Sequence, residues 1–412
     1  MEKTPKSMRL QIGLFGRTNV GKSSFLNMIA GQEVAVTSDI AGTTTDIVEK
    51  AMELLPVGPV LFLDTGGTDD LSALSRERLR KTNAIFDRAD IYVLVVEPRL
   101  WTEYEEAIAE EARRRSTPLI VAVNKIDTGD DTAVPESIGA RCRCCSIDTD
   151  NRERYVAEFK RALVGALPDS FLRPAPLVGD LIPPGGLAVL IVPIDLQAPK
   201  GRLILPQVQT IRDALDNDAA IVAVKEREYA HVLRRLRGRA DLAVCDSQVV
   251  MKMVADTPAD MPCTTFSILF ARFKGDLAAE ARGAAAIDRL QSGDRVLIAE
   301  ACSHHAAEDD IGRVKIPRWL RQYTGCDLQI DVASGRDYPG NLRDYALVIH
   351  CGACMLTRRE MLMRIHKAGR ARTPVTNYGV AISVIQGVIE RVLSPFPAAL
   401  EAFREERVAT RI

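Results

Sequence analysis

The sequence predicts an α/β protein built in three blocks, and three observations predict it. Between Leu10 and about Leu167, short apolar runs alternate with amphipathic stretches, the βαβ rhythm of a doubly wound parallel sheet. Proline-bearing breaks at "LPDSFLRPAP" (Leu167–Pro176) and "DTPADMPCTTF" (Asp256–Phe266) interrupt that rhythm. After each break, strand-like runs return, such as "LAVLIVPI" and "YALVIHC". The domains drawn this way are 1–172, 173–262 and 263–412, and 412 residues exceed what one ordinary core organises.

In the first block, "LQIGLF", "VLFLD", "IYVLVV" and "LIVAVN" read as buried strands, and "RERLRKTNAIF" and "YEEAIAEEARRR" as helices. The middle block offers "LAVLIVPI", the helical "PQVQTIRDALDND", then "AAIVAVK" and "LAVCD". The third offers "RVLIAEAC", "LQIDVA" and "YALVIHC" as strands, with "VAISVIQGVIERVL" read as one long apolar helix. No internal repeat is visible at this level.

A formal charge of −1 gives no general pull toward nucleic acid or anionic lipid, and the third block has no basic stripe. The strongest apolar run, "LAVLIVPIDL", reaches about half a bilayer span and contains Pro193 and Asp195. The expectation is a cytoplasmic protein with no membrane and no nucleic-acid partner. Nine cysteines, odd in number and irregularly spaced, do not make a secreted disulfide framework. In a reducing compartment, clustered thiols bind metal or do chemistry.

"GRTNVGKSS" (Gly16–Ser24) follows a strand and opens a helix, the context in which a P-loop works. Gly16 and Gly21 let backbone N–H groups share one cradle for GTP phosphates, closed by Ser24; Lys22 reaches the β/γ-phosphates and Ser23 ligates Mg2+. "DTGG" places Asp64 at the magnesium shell and the Gly67 N–H at the γ-phosphate. "GTTT" (Gly42–Thr45) is a switch segment with Thr44 as the magnesium-sensing hydroxyl and Thr43 as its competitor. "NKID" supplies Asn124, Lys125 and Asp127; a carboxylate accepts both N1–H and the exocyclic amine of guanine, so Asp127 selects GTP over ATP. Ser146, in "CCSID", is a weaker base contact. These motifs resemble the translation-factor-related GTPases, above all the tRNA-modification and ribosome-assembly branch. That resemblance implies that Asn19 helps hold a K+ ion, and Thr68 stands where small GTPases carry glutamine.

"HCGAC" (His350–Cys354) spaces Cys351 and Cys354 as metal ligands, with no second CxxC after it. Cys302 ends "RVLIAEAC", with His304 and His305 just behind it. If both preceding runs are parallel strands of one sheet, their carboxyl ends open on one crevice and three thiols converge there. Pattern leaves four readings: small residues at strand ends, a thioredoxin-like dithiol, structural zinc, and a [4Fe-4S] cluster. In "RCRCC", adjacent Cys144 and Cys145 would point to opposite faces of a strand, so this run reads as structural.

The N-terminal GTPase motifs, the middle block and "CSH … HCGAC" together resemble the [FeFe]-hydrogenase maturation GTPases over essentially the whole chain. The resemblance implies a [4Fe-4S] cluster on Cys302, Cys351 and Cys354, with His304 or His350 as the fourth ligand. It implies that the middle block is a dimerisation domain in a homodimer, and that the third block is the cluster-binding domain. It further implies a scaffold that takes a di-iron unit from radical SAM maturases and passes it to the apo [FeFe]-hydrogenase. A tRNA-modification or ribosome-assembly GTPase with structural zinc is the alternative, and a GTP-regulated dithiol protein a third reading.

Overall fold

The computed structural model describes residues 6–31, 47–64, 76–129, 133–167, 175–194, 203–301, 310–335 and 338–409. The chain forms two compact units, Met1–Pro174 and Ala175–Ile412.

In the first unit a six-stranded sheet runs in the order β2-β3-β1-β4-β5-β6. The strands are β1 (Leu10–Phe15), β2 (Val48–Leu54), β3 (Gly58–Asp64), β4 (Ile91–Val96), β5 (Leu119–Val123) and β6 (Arg141–Arg143). All pairings are parallel except β2 with β3. β1 and β4 are buried along their whole length, which is why they read as unbroken apolar runs. β2, "VEKAMEL", is an edge strand of mixed exposure, and its charged residues hid it from the hydrophobic pattern. Alternate side chains feed two cores: Ile12, Leu14 and Val93 meet Phe25 and Phe159 on one face, while Leu63, Tyr92 and Leu94 meet Ile85 and Ile108 on the other. The helix Glu103–Arg114 starts at a capping box in which Thr102 and Glu105 satisfy each other's backbone.

The second unit holds two four-stranded sheets, β10-β9-β7-β8 and β12-β11-β13-β14. The strands of the first are β7 (Leu187–Ile191), β8 (Ala220–Val224), β9 (Leu242–Cys245) and β10 (Cys263–Thr265). Those of the second are β11 (Arg295–Ala299), β12 (Gln329–Ala333), β13 (Leu347–His350) and β14 (Val375–Asn377). All pairings are parallel. Read in chain order, the sheets have one topology, and their registers coincide. Leu187 pairs with Ala220 as Arg295 pairs with Gln329, and Ala188 with Leu242 as Val296 with Leu347. The Asp246 N–H donates to Ile191 O as the Cys351 N–H donates to Ala299 O. "PCTTF" and "PVTNY" are the matching last strands, and each runs straight into a helix capped by its final strand residue, Thr265 or Asn377. The unit is thus an internal repeat that the sequence does not announce.

Cys263–Thr265 pairs with Ala243–Cys245, so the middle sheet extends past residue 262. One apolar core, including Leu190, Val244, Phe270, Ile298, Ile349 and Phe403, serves both sheets. "VAISVIQGVIERVL" is not one helix: Tyr378–Ile385 ends, Gly387 adopts φ 72°, and Ile389–Val392 restarts. A left-handed glycine closing the last turn is the physical reason. Among the described residues no helix is long and apolar enough to cross a membrane.

Candidate functional site

β1 ends at Phe15, and Gly16 turns the chain with φ 145°; a Cβ there would stand 2.5 Å from Val95 O. Gly21, at φ 94°, would put a Cβ 2.3 Å from Asn124 Nδ2. These glycines therefore let the loop close onto β4 and onto the loop after β5. The helix Lys22–Ala30 starts at Gly21 with no capping side chain, so its first-turn N–H groups and dipole suit a phosphate. Lys22, 7% exposed, donates to Gly16 O at 2.7 Å and Arg17 O at 3.0 Å, lying across the loop. Ser23 and Ser24 follow in the first turn, and Asn19 is exposed with φ 64°. Asp64 sits at the end of β3, level with Leu14 of β1.

Buried Asn124 ties the loop after β5 to the loop after β1. Its Nδ2 donates to Val20 O at 2.9 Å, and its Oδ1 accepts from the Ser146 N–H at 2.9 Å. Lys125 donates to Asn19 O at 2.8 Å and pairs with Glu97. Asp127 is exposed at the mouth. Cys144 and Cys145 lie beyond β6, which ends at Arg143, and both pack in one core rather than on opposite faces. The Cys144 thiol faces Asn124 Oδ1 at 3.6 Å and the Cys145 thiol faces Asp127 Oδ1 at 3.3 Å. Burial pushes Cys144 up to about 12, with Cys145 and Glu158 adding to it, so it stays a neutral donor. Sequence reasoning missed these thiols as supports for the loop after β5. It also missed Tyr104, whose Oη accepts from the Gly16 N–H at 3.3 Å, and Glu105, which holds Arg17 at 2.8 Å. Thr43, Thr44 and Gly67 lie outside the described residues.

The thiol loop occupies the matching place in the last sheet. β11 is followed by β12 on one side and β13 on the other, so the crevice between the carboxyl ends of β11 and β13 is a topological switch point. There the Ala301 N–H donates to Cys351 Sγ at 3.1 Å. Ala301 is the chain neighbour of Cys302; Cys302 and His304 lie outside the described residues. Between Cys351 and Cys354 the loop turns through Ala353 at φ 51°, and the Leu356 N–H closes onto Ala353 O at 3.0 Å. The following helix begins only at Arg358, so neither thiol stands in its first turn, as a thioredoxin-like dithiol requires. Burial raises the Cys354 thiol, and Lys274 opposes that. Lys274 itself is 1% exposed, and burial lowers its ammonium to about 8 against the charges of Cys354, Glu360 and Cys351.

His350, the last residue of β13, is 1% exposed. Its ring stacks on Tyr338 at 5.4 Å between centroids, with Nε2 3.4 Å from Tyr338 Oη, and Arg364 lies over the same tyrosine. Burial, then Arg364, depresses its pKa to about 3. Among the described residues no group of three or more His, Cys, Asp or Glu side chains is assembled as a metal site. The donors present suit a metal–thiolate group: a backbone N–H on one sulfur and a buried ammonium near both cysteines, the groups that stabilise and tune such centres.

Residues 177–275 match the hydrogen maturase F dimerization domain and residues 278–395 the hydrogen maturase F tetramerization domain, together more than half of the chain. The chain belongs to the hydrogen maturase F family. Residues 11–125 match a family described as 50S ribosome-binding GTPase, so this maturase carries a GTPase domain at its head. Over that domain it is similar to tRNA modification GTPase MnmE of Synechococcus sp. (strain JA-3-3Ab), 38% identical over 138 residues, 32% of this chain and 29% of the relative. It is also similar to GTPase Der of Wolinella succinogenes, 37% identical over 131 residues, 31% of this chain and 27% of the relative. The chain thus spans less than a third of the length of these curated relatives. Among solved structures, Era of Aquifex aeolicus bound to GDP.AlF4- matches with 18% identity and a TM-score of 0.32, covering 56% of this chain and 98% of that one. As a member of the hydrogen maturase F family, the chain carries a GTPase-type domain followed by the family's dimerization and tetramerization domains.

Proposed function

We propose that this chain is the scaffold and carrier of [FeFe]-hydrogenase maturation. It holds a [4Fe-4S] cluster on Cys302, Cys351 and Cys354, receives the di-iron unit made by radical SAM maturases, and delivers it to the apo-hydrogenase. The observation that carries the reading is the Ala301 N–H on Cys351 Sγ at 3.1 Å, because it brings the chain leading into Cys302 to the first thiol of the CxxC loop. Fifty residues of sequence separation then close at one switch point. When bound, the cluster would offer one iron not tied to a thiolate, at which a ligand of the cargo can exchange. Between the two histidines, the engagement of His350 with Tyr338 favours His304 as the fourth ligand.

In the N-terminal unit, Gly16, Gly21, Lys22, Ser23 and Ser24 cradle the phosphates and Mg2+, with Thr44, Asp64 and Gly67 completing the metal shell and switch. Asn124, Lys125, Asp127 and Ser146 read guanine. Asn19, exposed within the loop, joins a K+ ion that speeds hydrolysis; equal turnover in sodium and potassium would remove that role. Hydrolysis acts as a switch on partner docking rather than as the source of the inorganic chemistry.

Anaerobic purification followed by metal and sulfide analysis tests the reading. Brown protein with iron and sulfide supports it. Colourless protein with zinc supports a tRNA-modification or ribosome-assembly type of GTPase instead, and a metal-free dithiol supports a redox role.

A further inference from the structure

We propose that Lys274 is the positioning residue of the thiol loop: from the end of a helix belonging to the first repeat, its ammonium clamps the loop of the second and faces the anionic group held there. The inference rests on the cluster reading above. Lys274 is the last residue of the helix Phe266–Lys274, which follows β10. Its Nζ donates to Ala353 O at 3.3 Å, Cys354 O at 3.1 Å and Leu356 O at 2.7 Å. Three carbonyls use all three of its N–H donors.

The loop needs such a clamp. Ala353 holds a left-handed backbone, a conformation that is unfavourable for a non-glycine residue and persists only where neighbours enforce it. The clamp is reciprocal: Arg358, just past the loop, donates to Phe273 O at 2.6 Å, satisfying a carbonyl at the end of the Lys274 helix. Gly352 lies along the same helix, since a Cβ placed on it would stand 4.0 Å from Ser267 Oγ. The loop is therefore laid against one helix from its start to its end. A cation buried against the carbonyls of the loop that carries two thiols is an expensive choice for structure alone, because methionine would fill the same volume without desolvating a charge. It is well placed to offset thiolate charge, which raises the reduction potential of an iron–sulfur centre.

The test uses full-length protein, with Lys274→Met, Lys274→Gln and Lys274→Arg variants. In metal-free protein, amide exchange of the 351–356 segment should quicken at least about tenfold in Lys274→Met, as expected for a loop that has lost its clamp. After anaerobic reconstitution with iron and sulfide, Lys274→Met should bind at least about threefold less iron, and its remaining cluster should titrate at a lower potential. Lys274→Arg should restore most of both. Lys274→Gln stands in if the methionine variant does not fold. Exchange and potential unchanged in a folded neutral variant would overturn the proposal. A wild-type protein that takes up no iron and sulfide would instead overturn the cluster reading, while the exchange measurement still decides the clamp.

Discussion

The two sheets of the second unit share strand order and register, yet their carboxyl ends carry different chemistry. Where β13 delivers His350 and Cys351, β9 delivers Cys245 and Asp246; where β11 leads through Ala301 toward Cys302, β7 leads through Pro193 to Ile194. The Asp246 carboxylate is spent locally, accepting from the Gln248 N–H at 3.0 Å to start a short turn. Cys351 instead opens a loop held in a left-handed bend by a lysine from the other repeat. The topology makes a crevice twice; side chains make it a candidate site once.

The largest test of that difference is to exchange the residues at matching positions. Cys351→Ser and Cys354→Ser should each lower the iron content of anaerobically reconstituted protein at least about tenfold, since a missing thiolate leaves a ligand position unfilled. Asp246→Ser, at the position equivalent to Cys351, should leave iron and sulfide unchanged. Full iron and sulfide content in both cysteine variants would end the contrast between the repeats.

The second test concerns the outer edges, β8 and β12, which are equivalent and have the same alternation of exposure. The Ala220 N–H donates to Gly186 O and the Gln329 N–H to Asp294 O, so by alternation the N–H groups of Ala223 and Val332 point away from the neighbouring strand. Proline there removes an outward donor and spares the ladder. If each edge serves one step of self-association, Ala223→Pro should weaken dimers and Val332→Pro only larger assemblies. Each change should shift the association midpoint about tenfold or more, since a two-fold axis counts every lost bond twice. Sedimentation measures it, and identical behaviour of the two variants would show that the edges do not divide the work.

Much of this was legible in the sequence, for a physical reason. The P-loop and "NKID" are local strings whose spacing is imposed by the strand–loop–helix turns that carry them, and the buried strands β1, β4 and β5 announce themselves as apolar runs. The repeat was hidden because parallel strands share only a demand for apolar residues, which "LAVLI" and "RVLIA" meet with different side chains. β10 and β14, three residues each, fall below the length at which periodicity speaks. No motif marks Lys274; only packing reveals that it turns inward to a loop some eighty residues away. The thiols Cys144 and Cys145 were recognised as structural, but their service to Asn124 and Asp127 depends on tertiary distances.

The smallest expected effect lies in the helix Leu277–Ala284, which joins the repeats. Its Glu280 is fully buried, and among the described residues neither carboxyl oxygen has a hydrogen-bond partner. Burial, with Asp276 adding to it, holds the carboxyl pKa well above the ordinary range. The folded protein therefore keeps a proton that the unfolded chain releases above its ordinary value of 4.5. With more protons bound in the folded state, stability falls as pH rises from that value toward the folded pKa. Glu280→Gln keeps the shape and removes the titration. It should match the wild type near pH 5 and become the more stable of the two as pH rises toward 8, read from urea midpoints of the second unit. A glutamine variant equally destabilised at both pH values would mean that the carboxyl is needed in its charged form, and that the seam between the repeats holds a cation rather than a proton.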